Sequence, residues 1–307
     1  MHKPNIAILG VRGIGKVHAR IFNALGANVD CVLASNEGSA ISACVDLEKS
    51  YGIITKGYTS INDVLERHPD AVSICTPPSL HFEQILKCFE KGVPVFCEKP
   101  LYWDQGLSLR EIENKINLLE NHKNRKLIVN TSNTIFIDAI TDYFGEQKDY
   151  QKFTFQFYTQ GKYEGKDIAL DLMPHGFSVL LRILGKHQID GFSFNVNQNH
   201  FQCTFNYAGK VVEFDFREDP DGPKYLSFYF DDKHFQRVQE GNGKTYRVYI
   251  ENTNINKKVE VDDPFTVYIK NFIQKYITGE KGFDDASGSF INIRLMLECM
   301  KKINQSI

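Results

Sequence analysis

With 307 residues, the chain has room for roughly two domains of ~150 residues each and for a core that needs no covalent or metal staple. Hydrophobic residues make up 42% and charged residues 24%, and the formal net charge is -2; this excludes the basic footprint of nucleic-acid binding or of attachment to an anionic membrane. The longest apolar runs are strand-sized, well short of the ~18 residues of a membrane span, and the opening MHKPNIAILG enters an apolar strand without the h-region of a secretory signal.

In chain order, Asn5 to Leu9 is expected to form a buried strand, Gly10 to Gly15 a glycine-rich turn, and the helical spacing of Ile14, Val17, Ile21, Phe22 and Leu25 a helix closed at Gly26. A second strand is predicted over Val29–Ala34, a helix over Ile41–Tyr51 ending at Gly52, and a short strand over Ile53–Thr55. Ser60 is placed to cap a helix over Ile61–Arg67. Ala71–Cys75 reads as a fourth strand, followed by a helix capped by Ser79 that runs through Phe89 and closes at Gly92. Val93–Cys97 is a fifth strand, Leu107–Asn121 a longer helix and Lys126–Val129 a sixth strand. These strands are continuous apolar runs alternating with helices, the pattern of a parallel sheet covered on both faces.

Beyond residue 130 the pattern changes. Phe153, Phe155 and Phe157 alternate with polar residues, as do Phe192, Phe194 and Val196, and Val212, Phe214 and Phe216. Period two with one polar face predicts an open, mostly antiparallel sheet. One helix is expected early, over Leu172–Leu184 and stopped by Gly185, and two near the end, over Phe265–Ile277 and Ser287–Ile303. The fold class expected is α/β: an N-terminal Rossmann-type parallel sheet with helices on both faces over residues 1–129, and an α+β domain with a large open, mostly antiparallel sheet over residues 130–307. The seven cysteines are scattered without a CxxC pair, so they are read as reduced, buried thiols of a cytoplasmic protein, and no His/Cys/Asp spacing suggests a metal site.

Gly10-Val-Arg-Gly-Ile-Gly15 lies between a predicted strand and a predicted helix, where glycine lets the backbone approach a pyrophosphate and the helix N-terminus supplies N–H donors. Gly10, Arg12, Gly13, Ile14 and Gly15 are therefore candidate dinucleotide contacts. Arg12 occupies the place of the usual second glycine. The GxxxxGK reading of a triphosphate loop lacks the following hydroxyl, since Val17 stands there. Tyr158 and Lys162 spell YxxxK, but along a strand they stand about 13 Å apart, too far to act together as they would on a helix. The position about 20 residues past the fingerprint, where an acid normally holds the ribose of NAD, falls on Ser35, with Asn36 next and Glu37 two residues on. Ser35, Asn36 and Arg12 suit a 2′-phosphate, so NADP is favoured and NAD is the alternative.

Three further stretches, Cys75-Thr-Pro-Pro-Ser-Leu-His81, Glu98-Lys-Pro100 and Asp171-Leu-Met-Pro-His175, stand after the fourth strand, after the fifth strand and early in the second half. Together with Gly10 to His18, their order and spacing resemble the glucose–fructose oxidoreductase / inositol dehydrogenase / MocA family, over the first ~130 residues above all. The resemblance implies an NAD(P)-dependent oxidoreductase acting on the hydroxyl/carbonyl carbon of a sugar, cyclitol or similar small molecule, and a homo-oligomer, dimer or tetramer. It implies Lys99 as the active-site lysine, His175 as general acid/base and Asp171 as its partner. Thr76 and Pro77 would line the cofactor channel, Glu98 would lie close to the nicotinamide ribose, and His18 and His81 match family positions. The chemistry suits the residue types: histidine exchanges a proton near neutral pH, and a lysine ammonium stabilises negative charge developing on oxygen. Asp171 and His175 are four apart, and Pro174 is expected in the first turn of their helix, which would place both at its N-terminus. Departures from the family pattern are Arg12, Ser178 in place of a further acid after the histidine, and Ile168-Ala-Leu170 in place of a glycine pair. The rival functions are a reductase of a non-sugar ligand such as a tetrapyrrole or imine, and a dinucleotide sensor without turnover.

Overall fold

The computed structural model describes residues 3–242, 245–280 and 286–306, and these divide into two compact units: Met1–Asn130 with Phe265–Phe290, and Thr131–Pro264 with Ile291–Ile307.

The first unit is built on a six-stranded parallel sheet: β1 (Asn5–Leu9), β2 (Asn28–Leu33), β3 (Lys56–Tyr58), β4 (Ala71–Ile74), β5 (Val95–Glu98) and β6 (Leu127–Asn130), in the order β3-β2-β1-β4-β5-β6. The connecting helices are α1 (Ile14–Ala24), α2 (Glu37–Tyr51), α3 (Ile61–Leu65), α4 (His81–Glu90) and α5 (Leu109–Glu120). Ile6, Ala7, Ile8, Val72, Ile74, Val95, Phe96, Leu127 and Ile128 have no exposed surface, so the central strands are sealed on both faces, as their apolar runs require. The order reverses between β1 and β4, and the carboxyl ends of these strands form the crevice where such sheets take their ligands.

The third strand lies three residues later than expected, at Lys56–Tyr58 rather than Ile53–Thr55; Ile54 is 81% exposed, and the pairing with Cys31, Val32 and Leu33 falls on Lys56, Gly57 and Tyr58. The second helix begins four residues before Ile41, because Asn36 caps it by accepting from the Ser39 N–H. Ser79 does not cap the fourth: a single 3₁₀ turn at Pro78–Leu80 leads into α4. Ser108 and Glu111 form a capping box at the start of α5. Near the chain end, Phe272 packs edge-on to Phe22 at 6.3 Å and against Phe96 at 5.5 Å, which ties α8 (Pro264–Ile273) to this sheet.

The second unit carries an eight-stranded sheet in the order β14-β13-β12-β11-β7-β10-β9-β8. Its strands are β7 (Lys152–Thr159), β8 (Asp190–Val196), β9 (His200–Tyr207), β10 (Lys210–Glu218), β11 (Tyr225–Phe230), β12 (Lys233–Glu240), β13 (Arg247–Asn252) and β14 (Lys257–Val261). All neighbours pair antiparallel except β7 with β10. The expected alternation is present: Phe153, Phe155, Phe214, Phe216 and Phe228 are buried on one face. The other face carries Gln156, Tyr158, Asp215 and Arg217. Phe155 stacks on Phe228 at 5.3 Å and meets Phe214 and Phe216 edge-on. Helices α6 (Thr134–Phe144), α7 (Asp167–Leu184) and α9 (Ala286–Ser306) complete the fold. Helix α6 was not anticipated. Its β-branched run Thr-Ile-Phe-Ile disguises a helix that is held by burial of Phe136 against Phe228 and by contact of Phe144 with Phe235.

The structure corrects the expected start of α7. It begins at Asp167, five residues before Leu172, and Pro174 sits in its interior. A proline there cannot donate to the carbonyl four residues back; its own carbonyl accepts from Asn292 Nδ2 at 2.7 Å. Asp171 and His175 therefore occupy one face of a mid-helix stretch and not the helix N-terminus.

Because Phe155 is the hub of this aromatic layer, Phe155→Ala is expected to cost about 3–5 kcal/mol, read as a lowered urea midpoint. A loss below about 1 kcal/mol would contradict the close packing described.

Candidate dinucleotide site

At the switch point, Cys75 N–H donates to the Leu9 carbonyl at 2.7 Å and Gly10 N–H to the Leu33 carbonyl at 3.0 Å, so the three strand ends are tied together. Gly10 has φ +83°, and a Cβ on it would lie 2.7 Å from the Cys75 carbonyl oxygen; only glycine fits on both counts. Gly13, at φ +53°, precedes α1, and no side chain caps that helix. A Cβ placed on Gly13 would meet nothing within 4 Å. The result is an open helix N-terminus beside a bare backbone turn, the arrangement that receives a pyrophosphate.

A cleft of about 600 Å³ opens beside this turn. Gly10, Arg12, Ser35, Thr76 and Pro77, all predicted from sequence, line it together with Val11, Leu33, Ser39, Leu80 and Gln84. Ile14 and Gly15 form the first turn of α1. Asn36 is not among the lining residues, because its side chain is spent on the α2 cap. Glu37 is exposed in the first turn of α2 and does not line the cleft either. Ser39, which sequence reading missed, takes a 3.1 Å hydrogen bond from Arg12 Nη2. No spacing rule marks it; it reaches the cleft because it lies one turn into a helix whose start was not recognised. Gln84, also missed, accepts from Thr76 Oγ1 at 2.6 Å and fixes that hydroxyl.

The other matched positions sit behind this cleft. His81 is fully buried: its Nε2 faces the Thr76 carbonyl at 2.8 Å and its Nδ1 the Pro100 carbonyl at 3.0 Å. Burial lowers its pKa against the pull of these carbonyls, so the neutral ring donates to one of them at a time. His81 is thus a strut between the loop after β4 and the loop after β5, not a group on the cleft wall. The second of these loops carries Lys99, which precedes a cis peptide bond to Pro100.

Glu98 ends β5, and its side chain is mostly buried, 13% exposed. Asn130 Nδ2 donates to its Oε1 at 2.6 Å, and His18 Nε2 forms an ion pair with the same oxygen at 2.9 Å. Burial opposes the charge on His18, yet Cys75 at its Nδ1 edge and Glu98 at its Nε2 edge raise its pKa to about 10. Glu98 is likewise opposed by burial but held below the usual carboxylate range by His18, Asn130 and Lys99.

In the second unit, Asp171 and His175 lie one turn apart on α7. The His175 ring meets Phe157 edge-on at 5.2 Å, and Ser178 Oγ donates to the His175 carbonyl at 2.8 Å.

Sheet order, uncapped helix and cleft define a dinucleotide-binding Rossmann domain. The sequence profile of the oxidoreductase family, NAD-binding Rossmann fold, matches residues 4–131. Over these residues the chain matches the family that takes in glucose–fructose oxidoreductase, inositol dehydrogenase and MocA. The inositol 2-dehydrogenase of Rhodococcus erythropolis is 37% identical over 110 residues, which cover 34% of this chain and 30% of that protein. The chain thus spans about a third of the length of this relative. Over nearly the whole chain, the fold is that of the UDP-N-acetylglucosamine 3-dehydrogenase GnnA of Acidithiobacillus ferrooxidans, with TM-score 0.71, 18% identity and 97% of each chain covered. It is also that of an NAD-binding oxidoreductase of Klebsiella pneumoniae, with TM-score 0.72, 14% identity, and 100% and 98% covered. No helix among the described residues is long and apolar enough to cross a membrane.

The raised His18 pKa predicts a pH-dependent stability. His18 is protonated in the unfolded chain only below about 6.5, but in the folded chain up to about 10, so its contribution is complete below 6.5 and lost as pH rises from 6.5 to 10. Glu98, lowered from 4.5, contributes above that value and loses its contribution as pH falls below it. Urea midpoints measured across pH should peak between these limits, and His18→Gln should flatten the alkaline fall. An equally steep alkaline fall in the variant would contradict the pairing.

Proposed function

We propose that the chain is an NAD(P)-dependent oxidoreductase that moves a hydride between nicotinamide and the hydroxyl/carbonyl carbon of a sugar, cyclitol or similar small molecule. The observation that carries this reading is the uncapped N-terminus of α1 beside the bare Gly10–Gly13 turn, opening on a cleft of about 600 Å³ at the strand-order reversal. These residues fit a dinucleotide: the turn would hold the pyrophosphate, and Leu33, Leu80 and Pro77 would flank the adenine end. When bound, the cofactor supplies the hydride acceptor or donor. The inositol 2-dehydrogenase relative supports the substrate class.

The chain's own residues do the rest. Lys99, at the carboxyl edge of β5, would donate a hydrogen bond to the substrate oxygen and stabilise charge developing there. His175 would accept or return the hydroxyl proton, and Asp171, one turn before it, would favour the imidazolium that results. Glu98, kept ionised by His18 and Asn130, would accept from the nicotinamide ribose. Arg12, Ser35 and Ser39 surround one end of the cleft with donors, and the acid Glu37 stays outside it. That donor set favours a 2′-phosphate, hence NADP over NAD. The polar face of the eight-stranded sheet suits a homo-oligomer, dimer or tetramer. Tyr158 lies across Tyr225 at 5.5 Å and beneath Arg217, and Asp215 is sealed by Gln156, Tyr158 and His200.

Turnover of a polyol and keto-sugar panel, followed by nicotinamide absorbance at about 340 nm, tests the activity. Lys99→Ala should lower kcat about 10²–10³-fold while leaving dinucleotide affinity unchanged; a kcat within about twofold of wild type would contradict the assigned role. For the cofactor, Arg12→Ala and Ser39→Ala should each weaken NADPH about tenfold and leave NADH unaffected. Equal losses for both dinucleotides would count against NADP.

A further inference from the structure

Sequence reading treats the seven cysteines as reduced, buried thiols, and for Cys75 the structure differs on burial. Cys31, Cys88, Cys97, Cys203 and Cys299 are buried, but Cys75 is part-exposed and lines the dinucleotide cleft. Its Sγ lies 3.1 Å from His18 Nδ1 and 3.8 Å from Ser73 Oγ. The far edge of the same ring meets the Glu98 carboxylate at 2.9 Å, and Glu98 is anchored in turn by Asn130. Thiol, imidazole, carboxylate and amide thus stand in line. A thiol beside an imidazole that a carboxylate orients gives up its proton to the ring, and the thiolate is the reactive form of cysteine. His18 is fully buried, so solvent cannot compete for that proton. Cys44, the other part-exposed thiol, has its pKa raised by burial, with no cationic side chain contributing.

We propose that Cys75 is a reactive thiolate on the wall of the cleft, and that a mixed disulfide formed there with a small disulfide excludes the dinucleotide. The second half of this proposal rests on the dinucleotide reading above. The step is balanced by exchange. The Cys75 thiolate attacks one sulfur of the small disulfide, whose S–S bond breaks. A new S–S bond joins Cys75 to that half, and the other half leaves as a thiolate. Cys75 is oxidised, the departing half is reduced, and an excess of small thiol reverses the reaction. The adduct would stand where Gly10 and Thr76 border the cleft.

The titratable groups around Cys75 are His18 from α1 and Cys97 and Glu98 from β5, with Lys99 acting on Glu98. The test is peptide-mapped alkylation of the whole chain by iodoacetamide across pH, without dinucleotide. Cys75 should label first, at a rate changing less than about threefold from pH 6 to 8, and His18→Gln should restore the steep rise of an ordinary thiol of pKa about 8.5. A wild-type rate rising about tenfold per pH unit would overturn the proposal, and that arm needs no variant. Glutathione disulfide should add one glutathione, mapped to Cys75, and abolish NADPH binding until a thiol is added; an adduct that leaves NADPH affinity unchanged overturns the exclusion. Failure of unmodified chain to bind NADPH would instead sink the dinucleotide reading, and it is scored separately from the alkylation profile.

Discussion

The first unit depends on how closely the ends of β1 and β4 approach each other. The Leu9 carbonyl takes the Cys75 N–H, Gly10 passes against the Cys75 carbonyl with no space for a side chain, and the chain then turns at Gly13 into α1. If the strands stood farther apart, the helix N-terminus would not face the cleft; if they stood closer, the turn could not pass. Because the sheet order reverses here, helices leave on opposite faces and the crevice stays open. Arg12 is accommodated in the turn because it points to Ser39 and not across the backbone.

Behind that crossing lies a second layer of polar struts. His81 ties the Thr76 carbonyl to the Pro100 carbonyl, and Glu98 gathers His18 and Asn130. An isolated buried carboxylate would be costly, so its imidazole and amide partners are what make the ionised form tolerable. The cleft wall is therefore backed by His18 and His81, which are fully buried and do not line the cleft. One of them, His18, serves the carboxylate on one edge and the Cys75 thiol on the other.

Much of this was legible from sequence because it rests on local signals. Apolar runs alternating with helical spacings gave the parallel sheet, and the phenylalanines at period two gave the aromatic layer of the second. The glycine turn, the Thr76-Pro77 loop and the segment ending in Lys99 each follow a strand, so their placement at the carboxyl edge could be read directly. What was hidden depends on tertiary contact. Helix α6 forms from β-branched residues because Phe136 and Phe144 find partners in the sheet. Pro174 is tolerated inside α7 with Asn292 bonded to its carbonyl, a residue 118 positions away. Asn36 looked like a ligand group and is a cap, and recognising that cap would have brought Ser39 into view. Phe265–Phe290 pack with the first unit although they lie far along the chain, which periodicity cannot show.

The central claim is that the turn between β1 and α1 holds a nicotinamide dinucleotide. The most direct measurement is a fluorescence titration of the purified chain with NADPH and NADH. The proposed function predicts saturable binding of one dinucleotide per chain, with NADPH the tighter. Absence of saturable binding of either dinucleotide by folded protein would contradict the claim and leave the fold without the chemistry assigned to it.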